Sequence, residues 1–136
     1  MRLAPPPALG LRHVAIRVRD LDAAERFFVE VLGYRVEWRP GEEDVYLTRS
    51  GDNLALHHGA GSAVGPGMLD HLGLAVPRPE DVDAWAEWLE ARGAKLAMRP
   101  RTHRDGSRSL YLDGPEGLRV QIIFHRPLVE GGGPSS

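Results

Sequence analysis

Two histidines, His13 and His71, open the same kind of phrase in two separate parts of the chain: Leu11-Arg12-His13-Val14-Ala15-Ile16-Arg17-Val18 and Leu69-Asp70-His71-Leu72-Gly73-Leu74-Ala75-Val76. In each, large apolar residues alternate with small or polar ones, and an acidic helix start follows within a few positions. The chain therefore reads as a duplication. Histidines at equivalent places in two copies of one module can meet across a pseudo-symmetric site, which suits a metal centre or a binding cavity. Alternation along the strands selects their companions. His13, Ala15 and Arg17 share one face, as do His71, Gly73 and Ala75. Asn53, Ala55 and His57 lie opposite Leu54 and Leu56, and Arg119, Gln121 and Ile123 lie opposite Val120 and Ile122. A cavity lined by His13, His71, His57 and Gln121 follows if the sheets curl so that these faces converge. Tyr111, opposite Leu110 and Leu112, falls on the same side. Its hydroxyl could give a proton or hydrogen bond to a substrate oxygen, or it could stand as an aromatic wall. Tyr46, between Val45 and Leu47, carries the same two readings.

The elements that must position these residues can be read in order. A strand at 13–18 precedes a helix capped by Asp20 and running through 32, with Ala24, Phe27, Phe28, Val31 and Leu32 on one stripe and Gly33 as its stop. Strands at 34–39, 44–49 and 53–58 follow, with a tight turn at Ser50-Gly51-Asp52. The second copy has a strand at 71–76, a helix from Pro79-Glu80-Asp81 to 92 with Gly93 as its stop, and strands at 95–99, 109–113 and 118–124. The offset is 71 − 13 = 58 at the histidines and 93 − 33 = 60 at the stop glycines. Phe28 and Trp88 fall at matching places, as do Ala24 and Ala84, and Trp85 and Trp88 read as packing or oligomer contacts. The expected fold is α+β, with two tandem βαβββ modules forming a curved, mostly antiparallel sheet around a cavity. Module one takes 10–58, a Gly-rich linker 59–69 and module two 70–126, within one domain at 10–126. Flexible ends are expected at 1–9 and 127–136.

Composition narrows the classes. The chain has 136 residues, 42% hydrophobic and 26% charged, with a net charge of −2 and no cysteine. That suits one globular domain and disfavours nucleic acid as a partner, and the short apolar runs exclude a membrane-spanning helix. The N-terminal stretch has no apolar block of signal-peptide length, so a cytoplasmic location is expected. Without thiolates, any metal must use His, carboxylate, amide or water ligands. Arg99, Arg101, His103, Arg104 and Arg108 form a basic stretch ahead of the seventh strand, read as a solvated loop or as a lid that recruits an anionic substrate.

Two βαβββ modules, a His-led first strand in each, and the phrase Tyr111-Leu112-Asp113-Gly114-Pro115-Glu116-Gly117-Leu118-Arg119-Val120-Gln121-Ile122 resemble the vicinal oxygen chelate superfamily. That group includes glyoxalase I, extradiol dioxygenases, fosfomycin-modifying enzymes, methylmalonyl-CoA epimerase and bleomycin resistance proteins. The resemblance covers about 11–125 and implies a glyoxalase-like fold and a homodimer. It also implies a divalent metal held by His13 and His71, with Gln121 where the second module's glutamate is expected. Ala55 stands where some members have a first-module ligand, and His57, two residues on, could compensate. The donor set suits Mn, Fe, Co, Ni or Zn. By the same resemblance Arg17 matches an arginine that contacts a substrate carboxylate, and Arg104 and Tyr46 join it as candidate substrate contacts. Tyr111 and Gln121 are the candidate catalytic groups. The implied activity is metal-dependent chemistry on a small, oxygenated, anionic substrate, as a lyase, isomerase, dioxygenase or transferase. A metal-free protein that sequesters a ligand, of the bleomycin-resistance kind, is the alternative.

Overall fold

The computed structural model describes residues 11–59, 69 and 71–129, which group into two compact units, Met1–Ser62 and Ala63–Ser136. In the first unit β1 (His13–Val18) leads into α1 (Leu21–Arg26), which continues as a π-helical turn at Phe27–Val31. Then come β2 (Arg35–Trp38), β3 (Asp44–Thr48) and β4 (Asn53–His58). The strands form one sheet in the order β1-β4-β3-β2, with β1 and β4 parallel and the other pairs antiparallel. The second unit repeats this plan with β5 (Leu72–Ala75), α2 (Pro79–Ala91), β6 (Leu96–Thr102), β7 (Arg108–Asp113) and β8 (Arg119–Phe124), in the order β5-β8-β7-β6. The expected α+β architecture of two βαβββ modules is present as two four-stranded mixed sheets, one per unit. A short helix, α3 (Arg126–Val129), lies where the sequence reading placed the start of a flexible tail; 1–10, 60–68, 70 and 130–136 lie outside the described residues.

Local chemistry explains the element ends. Asp20 caps α1, its Oδ1 accepting the Ala23 N–H at 2.9 Å, and Pro79 opens α2 while Asp81 accepts the Arg78 N–H at 3.0 Å. Both helices end before a glycine at positive φ, +81° at Gly33 and +75° at Gly93, a conformation costly for any residue with a Cβ. The cores follow the alternation: Leu54 and Leu56 are buried in one unit, Val120 and Ile122 in the other, with Ala24, Phe28 and Leu32 buried from the first helix and its cap and Val82, Ala86 and Leu89 from the second.

Both expected helix equivalences fail, since Ala24 is buried and Ala84 exposed, and the aromatic pair diverges as well. Phe28 is buried, but Trp88 is 43% exposed and Leu89 fills the core instead. The π-helical turn is the cause. It inserts one extra residue between Phe28 and Gly33, so the residue matching Phe28 lies one place nearer the stop glycine in the regular helix α2. Trp88 lies beneath the Arg92 guanidinium, 2.9 Å from the ring centroid.

Candidate ligand sites of the two units

In the first unit the open face of the sheet carries two oriented histidines. His13 Nδ1 lies 2.6 Å from Asn53 Oδ1, and the Asn53 amide nitrogen donates to Glu37 Oε1 at 2.7 Å. Glu37 fixes the amide, so the carbonyl oxygen faces the ring. Nδ1 must therefore carry the proton, leaving the Nε2 lone pair outward. His57 is held in the same way, its Nδ1 2.6 Å from Asp44 Oδ1, and its ring meets Tyr46 edge to face at 6.0 Å. Tyr46 in turn stacks on Trp38, with centroids 5.3 Å apart.

The parallel register separates these histidines. His13 pairs with Asn53, while His57 pairs with Arg17, four residues further along β1. At about 3.3 Å rise per residue the two stand roughly 13 Å apart along the strands, too far for both to ligate one ion. His57, offered as a compensating ligand for Ala55, thus does not share an ion with His13 and stands beside Asp44. Ala55 sits opposite Ala15 and is fully buried, with no side-chain donor. The stem of Arg17 packs against the Gly59 backbone, whose missing Cβ makes room for it.

In the second unit Gln121 pairs with Gly73, and His71 lies two residues before Gly73, so the imidazole and the amide belong to one face of adjacent parallel strands. The same offset in the first unit relates His13 to Ala55 through Ala15. His71 meets the Tyr111 ring edge to face at 5.3 Å, and the Arg119 guanidinium stands 5.8 Å from the centroid of that ring. Tyr111 pairs with Gln121 across β7 and β8. Both border a cavity of about 780 Å³ whose other walls are Arg101, Thr102, His103, Arg104, Asp105 and Ser107. This is where Arg104, Tyr111 and Gln121 come together.

The basic stretch is not the loop expected. Arg99 and Arg101 lie in β6 and Arg108 in β7, so it is a β-hairpin. The His103 N–H bonds the Ser107 carbonyl at 2.7 Å and closes a turn over Arg104, Asp105 and Gly106. Asp105-Gly106 is the sequence signal for such a turn. Other contributors absent from the sequence reading are Asp44, Glu37 and Trp38. Strand alternation was a signal for Asp44 alone, which it puts on the face of Tyr46, whereas Glu37 and Trp38 adjoin a register shift in β2 that alternation does not show.

Among the described residues no group of three or more His, Asp or Glu side chains could hold a metal ion. The candidate ligands bring no carboxylate: an imidazole in the first unit, and an imidazole and an amide in the second. Such donors fit a borderline divalent ion, but they leave its charge uncompensated, so a bound anion must balance it. No helix among the described residues is long and apolar enough to cross a membrane.

Two repeated units, each with one parallel strand pair and a histidine at or just before the start of its first strand, define the fold class of the glyoxalases. The chain belongs to the Glyoxalase/Bleomycin resistance protein/Dioxygenase superfamily, whose family model matches residues 10–122. It is 30% identical over 125 residues to a 2,2',3-trihydroxybiphenyl dioxygenase of Sphingomonas paucimobilis, covering 85% of this chain but only 41% of that one. It is 31% identical over 150 residues to a 2-epi-5-epi-valiolone epimerase of an Actinomyces species, covering 87% of this chain and 80% of the relative. The crystal structure of a lactoylglutathione lyase from Agrobacterium tumefaciens superposes with a TM-score of 0.74 at 25% identity, over 90% of this chain and 96% of that one.

Proposed function

We propose that the protein is a divalent-metal-dependent enzyme acting on a small, oxygenated, anionic molecule, with His71 and Gln121 as metal ligands of the second unit and His13 as the candidate ligand of the first. The observation that supports this most is the placement of His71 and Gln121 on one face of adjacent strands, with Gln121 beside Tyr111 at the cavity wall. A bound ion there would supply Lewis-acid stabilisation of negative charge on a substrate oxygen. The chain's own groups do the rest. Tyr111 donates a hydrogen bond or proton to that oxygen, and Arg104 attracts the anion. Tyr46 and Arg17 remain proposed substrate contacts. The relatives include both a 2,2',3-trihydroxybiphenyl dioxygenase and a 2-epi-5-epi-valiolone epimerase, so the reaction itself follows from the substrate found.

Metal analysis of protein purified without chelator, with a thermal-shift screen of catechols, hydroxyketones and small carboxylic acids with and without Mn²⁺, tests the reading. Stoichiometric metal, lost on His71→Ala, together with ligand stabilisation that grows with the ion, supports it. Metal at background, unchanged by His71→Ala and His13→Ala, overturns it. The neutral amide of Gln121 and the buried methyl of Ala55 favour a second reading, metal-free sequestration of a ligand, which predicts the same thermal shift with and without the ion.

A further inference from the structure

The arginines of the β6–β7 hairpin divide into two classes. Arg99 is paired with Glu90 through both Nη atoms, and Arg108 with Asp83 through Nε and Nη2 at 3.0 and 2.6 Å. The guanidinium groups of Arg101 and Arg104 have no hydrogen-bond or ion-pair partner among the described residues, and both residues line the cavity. A surface arginine usually finds a carboxylate when one is near; here the two left over are the two that face the same space.

The backbone puts Arg101 there. Met98 pairs with Tyr111 and Arg101 with Ser109, so β6 spends 101 − 98 = 3 residues where β7 spends 111 − 109 = 2. The extra residue is a bulge next to Pro100, which cannot donate to the ladder and is tolerated because β6 is an edge strand. Without the bulge Pro100 would oppose Ser109 and Arg101 would turn to the other face. With it, Arg101 joins the Tyr111 face.

The remaining walls set the charge count. His103 Nε2 is tied to Ser109 Oγ at 2.8 Å, and Tyr111 and Gln121 are neutral. Asp105 is the one carboxylate, with Oδ1 accepting from the Ser107 N–H at 2.9 Å and the Ser107 hydroxyl at 2.7 Å. Those bonds hold its carboxyl below the usual range, so it stays ionised. Two guanidinium groups and one carboxylate leave one net positive charge. We propose that the cavity is a monocarboxylate site in which Arg101 and Arg104 clamp the carboxylate while Gln121 and Tyr111 meet the oxygen functions of the ligand. The guanidinium fork matches a planar carboxylate, and Asp105 disfavours a dianion. This rests on the cavity being the ligand site proposed above, but not on metal or catalysis.

Calorimetric titration of the full chain with benzoate and with its neutral isostere benzamide, each with and without Mn²⁺, tests it. Benzoate is expected to bind at least about tenfold more tightly than benzamide, since charge-assisted hydrogen bonds distinguish the two. Arg101→Gln and Arg104→Gln should each weaken benzoate by about tenfold, whereas Arg99→Gln, which removes an equal but paired charge, should leave it within about twofold. Equal affinity for benzoate and benzamide, no binding of either at millimolar concentration, or an Arg99→Gln effect as large as the others overturns the clamp. Inorganic phosphate competing as strongly as benzoate overturns the monocarboxylate assignment. Absence of bound metal, by contrast, removes the proposed enzymatic role and leaves the benzoate preference untouched.

Discussion

Gln121 lies across Gly73: the two are paired on adjacent parallel strands, and Gln121 Oε1 is 3.6 Å from the point a Cβ at 73 would occupy. The counterpart pair in the first unit is Ala55 and Ala15. One unit thus offers an amide where the other offers a buried methyl. The duplication has kept its register and lost its chemical symmetry, which concentrates ligand chemistry of this position in the second unit.

The His57–Asp44 contact predicts a fixed tautomer. Asp44→Ala removes the acceptor for Nδ1–H, and the ring should revert toward the Nε2–H form favoured in water. Imidazole ¹⁵N spectra should show the two nitrogen environments exchanged between wild type and variant, while the His13 signals, set by Asn53, stay unchanged. An unchanged His57 pattern would contradict the contact.

The stop glycines predict unequal costs. At Gly93 an added Cβ meets nothing within 4 Å, so Gly93→Ala should cost only the positive-φ strain, about 1 kcal/mol. At Gly33 the same methyl would also collide with the Arg49 guanidinium, which donates to the Gly33 carbonyl at 3.0 Å, so Gly33→Ala should cost more. Urea midpoints of the two variants check the order.

Tyr34 predicts a pH signature. Burial, first, and its 2.6 Å hydrogen bond to Asp52 raise its phenol above the ordinary range. A folded value above the unfolded one gives stability that is complete below the unfolded value of about 10 and lost as pH rises through the folded value. Tyr34→Phe should therefore cost about 1 kcal/mol at neutral pH, and the deficit should shrink above pH ~10. Denaturant titrations across that range measure it.

Much of this was legible in the residues. The two His-led phrases, the Asp20 cap and the paired stop glycines located both modules, because each is a local rule with a strong periodic signal. The β6–β7 hairpin was missed although Asp105-Gly106 marked it, since five basic residues read as a solvated stretch. The bulge at Pro100, which decides where Arg101 faces, depends on pairing with β7 and has no local signature. The phase slip that exposes Trp88 depends on a π-helical turn in the other copy of the helix. His57 looked like a ligand because alternation gives a face but not a position along it; only the register with Arg17 shows how far it stands from His13.

Mn²⁺ titration of the wild type, His71→Ala and Gln121→Glu is the most direct test of the proposed metal role. Ligation by His71 and Gln121 without a carboxylate predicts weak binding by the wild type, abolished in His71→Ala and strengthened by about tenfold or more in Gln121→Glu, where a carboxylate supplies the missing charge. Equal Mn²⁺ affinity in all three proteins would contradict it.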